Sequence, residues 1–107
     1  INMEQFVIAV FKPREGKDEA LKRILLEHVP TLQSLGLATE RPAYIMQAAN
    51  GTIIEVFEWV SSGAIEKAHS HPVVLEMWKR FEETCEYGTI GELEESRMMF
   101  PGFKPVS

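Results

Sequence analysis

The residues best suited to chemistry in this chain are three histidines and one glutamate set among apolar neighbours. His69 and His71 stand two residues apart in the stretch AIEKAHSHPVVLEMW. Imidazole is the usual general base and metal ligand near neutral pH, and two imidazoles flanking a helix break can converge on one point. A metal site needs a third ligand, and neither an H-E-x-x-H spacing nor a nearby carboxylate pattern supplies one. The competing reading is structural: His71 caps a helix while His69 packs partly buried against a sheet. His28 falls on the apolar stripe of a helix, as a pocket-rim or a satisfied core histidine. Glu55 interrupts the apolar run TIIEVFEW. Facing a pocket it would serve as a base, whereas facing an interface it would pair with Arg or Lys.

The candidate catalytic groups are therefore His69, His71 and Glu55. Tyr44, Trp59, Trp78 and Phe81, with His28, are the candidate wall of a pocket for a flat ligand, although aromatics at these spacings serve equally as core. Cys85 sits among Glu82, Glu83 and Glu86, whose charges disfavour a thiolate. The chain carries no glycine-rich phosphate loop, nucleophile elbow, or flavin or nicotinamide fingerprint, so no cofactor is expected.

The elements that must position these groups read as follows. QFVIAVF, residues 5–11, is a continuous apolar run of β-formers and predicts a strand buried on both faces. Residues 17–35 carry Leu21, Ile24, Leu25, His28, Val29, Leu32 and Leu35 at helical spacing, with Gly36 as a C-terminal stop. Pro30 inside that pattern predicts a kink or restart near His28. Residues 41–49 and 52–60 predict two strands around Asn50-Gly51, a hairpin signal of the type I′ kind. The second of them places Ile53, Glu55, Phe57 and Trp59 on one face, and Ile54, Val56, Glu58 and Val60 on the other. Ser61 or Ser62 caps a short helix, Pro72 starts a second one, and Val74, Met77, Trp78, Phe81 and Cys85 form its stripe to about Tyr87. Residues 91–96 read as a loop or a single helical turn. A last short edge strand is expected within residues 97–106, where Pro101 and Pro105 cannot donate ladder bonds.

Length and composition set the outer limits. The 107 residues, 45% hydrophobic and 25% charged, fit a single globular domain spanning 1–107. A net charge of -5 offers no field to attract phosphates, which disfavours nucleic acid and anionic membranes as partners. No apolar run reaches the length of a membrane span. With one cysteine and no secretion-signal layout at its start, the chain is expected in the reducing cytoplasm.

The order strand, helix, strand, strand, helix, strand is the ferredoxin-like βαββαβ unit, an α+β fold with a four-stranded antiparallel sheet and two helices on one face. Such a sheet has a second apolar face, and a second copy of the chain is its natural cover. The chain resembles the dimeric α+β barrel superfamily, specifically its antibiotic-biosynthesis-monooxygenase-like branch. The likeness is carried by the apolar first strand with Gly16 before the helix, the strand ending EVFEW, and the helix break AIEKAHSHPVVLEMW. It implies a homodimer with a pocket between sheet and helices in each subunit. Relatives use that pocket for cofactor-independent oxidation of aromatic polyketides, haem breakdown, or isomerisation of small organic acids. Haem-degrading relatives place an asparagine, a tryptophan and a histidine where this chain has Ala9, Ala68 and Trp78, which argues against haem chemistry here. The expected function is binding of a small apolar or aromatic compound, with monooxygenase-like or isomerase-like turnover. The alternative is a non-catalytic binding or assembly protein whose apolar sheet face serves oligomerisation only.

Overall fold

The structure, a computed structural model, describes residues 3–106. Its organising element is the strand β3, Ile53–Trp59, whose alternation divides the molecule into two layers. β3 pairs antiparallel with β1, Gln5–Pro13, on one side and with β2, Tyr44–Gln47, on the other. Ala9 lies opposite Glu55 and Phe11 opposite Ile53, so the site-bearing strand has a partner along its whole length.

Between β1 and β2 runs the helix α1, Asp18–Ser34, continuous through Pro30. Asp18 and Glu19 sit in its first turn, where the exposed backbone N–H groups favour negative charge. Past its end Gly36 adopts φ +73°, a conformation that costs glycine nothing. After β3, Ser61 Oγ accepts the Ala64 N–H at 3.0 Å and starts α2, Ser62–Ala68. The chain breaks at Ser70-His71 and resumes as α3, Pro72–Thr84, with proline at the first turn where no N–H is needed.

The sheet differs from expectation in three places. It has five strands in the order β4-β1-β3-β2-β5, and three helices accompany it. The additional strand, β4, is Cys85–Gly88, at the edge beyond β1, and lies where the apolar stripe of α3 predicted continued helix. Cys85 turns extended at φ -155° and ψ 169°, and residues 85–88 pair with Val10–Pro13. Ladder bonds to β1 therefore outcompete one further turn of helix. The last strand, β5, is only Lys104–Pro105, on the outer edge of β2, and residues 90–97 form two short 3₁₀ turns.

The hairpin turn differs too. Gly51 has φ +94°, but Asn50 keeps a negative φ, so the turn is not type I′. Ala48 and Thr52 close a three-residue loop instead, and Asn50 Oδ1 accepts the Thr52 N–H at 2.9 Å. The asparagine serves as a side-chain acceptor rather than as a left-handed residue.

One face of the sheet, with Phe11, Ile45, Ile53, Phe57 and Trp59, packs against the apolar stripes of the helices to form the main core. On the opposite face, Ala48 and Ile54 form a smaller cluster with Leu93, supported by Met46, Val56 and Phe103. The chain's own residues 90–103 thus cover part of the outer face. Phe6, Ile8 and Tyr44 remain more than half exposed there.

Candidate functional site

Strand alternation puts Glu55, Phe57 and Trp59 under the helices, and the apolar stripe of α1 lowers His28 onto them. His28 Nδ1 and Glu55 Oε1 are 2.9 Å apart. Glu55 has no exposed surface and His28 only 5%. This hydrogen bond is the ring's one polar contact and fixes its orientation. The Phe57 and Phe81 rings meet the imidazole edge-on, at 5.5 and 5.1 Å between centroids.

Two atoms of this pair lack any hydrogen-bond partner, His28 Nε2 and Glu55 Oε2. The cost of each is on the order of 1–3 kcal/mol. The other buried acids of the described residues are satisfied. Glu58 takes the Arg41 Nε–H at 2.9 Å and the Thr39 hydroxyl at 3.0 Å, and Glu95 takes the Ala49 N–H at 2.9 Å. The unbalanced acid is the one beneath the helices.

His28 forms part of the lining of a cavity of about 440 Å³ that opens to the surface. Its sheet wall is Val7, Ala9 and Phe11 from β1, Phe57 and Trp59 from β3, and Tyr87 from β4. Its helix wall is His69 at the end of α2 and Trp78, Phe81 and Glu82 from α3. The aromatic groups brace one another: Phe11 stacks on Phe81 at 5.0 Å, and Phe57 meets Trp59 at 5.2 Å. Such walls suit a flat, mostly apolar molecule, with few polar groups to orient it.

His69 is an exposed residue of this lining. Its Nδ1–H donates to the Ile65 carbonyl at 2.8 Å and its ring meets Trp78 edge-on at 5.0 Å. His71 is not part of the lining. Its Nδ1 accepts the Val73 N–H at 3.2 Å and caps α3, which is the structural role open to it in the sequence. Tyr44 lies on the other sheet face, 63% exposed, and does not line the cavity. Trp59, Trp78, Phe81 and His28 all do, and Glu55 stands one hydrogen bond behind them. No three His, Cys, Asp or Glu side chains gather as a metal site among the described residues.

Sequence reasoning missed Val7, Ala9 and Phe11 of β1, and Phe57, Glu82 and Tyr87, as lining residues. Phe57 shares the alternation of Glu55 and Trp59 and was open to the same argument. Tyr87 depends on β4, whose pairing sets it opposite Phe11, with the two rings 5.8 Å apart. Burial pushes the Tyr87 hydroxyl up to about 12, with the nearby Cys85 and Glu82 adding to it. It therefore stays protonated and able to donate at neutral pH. Burial likewise raises the Cys85 thiol to about 11, and its S–H donates to the Phe81 carbonyl. Cys85 is a core residue without nucleophilic character.

The fold is similar to that of protein SO0527 from Shewanella oneidensis, known from a crystal structure. The TM-score is 0.64 at 17% sequence identity, over 80% of this chain and 85% of that one. No family model matches the chain, and no curated protein does. Among the described residues, no helix is long and apolar enough to cross a membrane.

Proposed function

We propose that this protein binds a small, flat, largely apolar or aromatic compound in the cavity between sheet and helices. We further propose that it works as a homodimeric α+β barrel of the antibiotic-biosynthesis-monooxygenase-like kind. One observation carries the binding reading: an aromatic-walled space of about 440 Å³ has, in its lining, a buried histidine with an uncommitted ring nitrogen. A structural core would fill that space and satisfy that nitrogen. The ferredoxin-like part of the reading is supported by the order β4-β1-β3-β2 of the first four strands, with one face packed against helices. The lone buried thiol suits a reducing cytoplasmic setting.

In the enzyme version, cofactor-independent and monooxygenase-like or isomerase-like, a residue of the cavity removes a proton from the ligand and the apolar walls keep water from the resulting anion. A thermal-shift screen with phenols, quinones and haem tests the binding reading. A ligand held at 100 times its Kd adds about 2.7 kcal/mol of stability. Stabilisation by flat phenols or quinones supports the reading, and no response from any flat aromatic contradicts it.

A second reading, assembly without chemistry, is favoured by the outer face. Phe6 and Ile8 are 58% and 52% exposed, and within the segment 90–103 Met99 and Phe100 are 87% and 94% exposed. Apolar surface of this kind is the usual mark of a protein partner, here a second copy of the chain.

A further inference from the structure

We infer that the cavity selects an organic cation, a flat aromatic ring system with one positively charged nitrogen, and that Glu82 at its rim receives the charge. The inference rests on the cavity reading above and gives it a ligand class. It starts from the charges around the cavity. Glu82 of α3 is the one carboxylate in the lining, and the lining holds neither lysine nor arginine. The Glu82 side chain is exposed, and its carboxylate has no ion pair or hydrogen bond among the described residues. Arg14 approaches this end of α3 but is committed elsewhere. It donates to the Glu82 backbone carbonyl at 3.0 and 3.2 Å and to the Glu86 carboxylate at 3.4 Å, and it is not part of the lining.

The walls favour the same sign. Phe11, Phe57, Trp59, Trp78, Phe81 and Tyr87 make the cavity mostly aromatic. A ring face attracts a cation, tryptophan most strongly, and the attraction grows where water is displaced. A neutral ligand of the same shape gains the apolar contact without that term. An anionic one meets the negative ring faces and the Glu82 charge together.

The uncharged polar groups agree. Burial, with nearby Cys85 and Glu82 adding to it, raises the Tyr87 hydroxyl to about 12, so the acid acts at the same end of the cavity as a hydroxyl that stays neutral. The oxygen of that hydroxyl can accept an N–H from the ligand. His69 spends its Nδ1–H on the Ile65 carbonyl, so its neutral ring has only an acceptor left, at Nε2. His28, the other imidazole of the lining, has the Glu55 carboxylate 2.9 Å behind it, and a proton on that ring is matched by that acid. Over a longer range the net charge of -5 draws cations toward the chain.

The test compares N-methylquinolinium, a permanent cation, with lepidine, the neutral methylquinoline of the same size. Binding to the full chain is measured by calorimetry at low salt and about pH 8, where free imidazole is uncharged. The cation is expected to bind at least about tenfold more tightly. Glu82→Gln should remove most of that preference and leave lepidine binding within about twofold. Glu83→Gln deletes the same unit of charge one residue along, in the groove between α1 and α3, and should keep the preference. Both positions are exposed on α3, so both variants keep the fold. Equal losses in the two variants assign the preference to net charge and overturn the inference. Equal or weaker binding of the cation also overturns it and leaves the cavity reading intact. Binding of neither compound overturns both.

Discussion

His28 and Glu55 are 27 residues apart in sequence and 2.9 Å apart in space, joined beneath a cavity with almost no exposure to solvent. A buried ionisable pair held by one hydrogen bond is an uneasy arrangement, because removing either member strands the other. Glu55→Leu or His28→Leu alone should therefore cost roughly 3–5 kcal/mol in urea unfolding. The double variant should cost less than the worse single one, since it strands neither group. Strict additivity of the two losses would show that the groups are not coupled.

A second prediction concerns alkaline pH. Cys85 holds its proton more tightly when folded, with its value raised from 9.0 to about 11. A raised acid contributes stability that is complete below its unfolded value and is lost as pH climbs to the folded one. Urea midpoints should accordingly fall between pH 9 and 11, and Cys85→Ala should flatten that part of the profile. Tyr87, raised from 10.0 to about 12, should carry a further decline between pH 10 and 12 that overlaps it. In the native protein at neutral pH, Cys85 should resist iodoacetamide and react only after unfolding.

The exposed sheet face gives a third. Ile8 is 52% exposed in the middle of β1, beside Phe6. Sedimentation should report a dimer, and Ile8→Glu should weaken it more than about tenfold while leaving a folded chain. A wild-type monomer at high concentration would count against the homodimer and leave the cavity untouched.

What the sequence discloses, and what it withholds, follows from the range of each interaction. The alternation Ile53, Glu55, Phe57, Trp59 is enough to put the acid and two aromatics on one face, because period two is local to the strand. The stripe of α1 puts His28 inward for the same kind of reason. That the two elements meet at this pair is not local information, and only the fold brings them together. β4 is hidden by a coincidence of spacing: Val74, Met77, Phe81 and Cys85 continue one helical stripe, and only pairing with Val10–Pro13 makes Cys85 extended. The His69 and His71 motif draws attention by proximity in sequence. One of these residues lines the cavity, and the other caps a helix.

The most direct test of the cavity reading is nitrogen NMR on protein with labelled histidines, of which there are three. A flat phenol or quinone that binds should move the signals of His28 and His69, which line the cavity, and leave those of His71, which caps α3, in place. A bound ligand that shifts His71 alone, with the His28 and His69 signals unmoved, would contradict it.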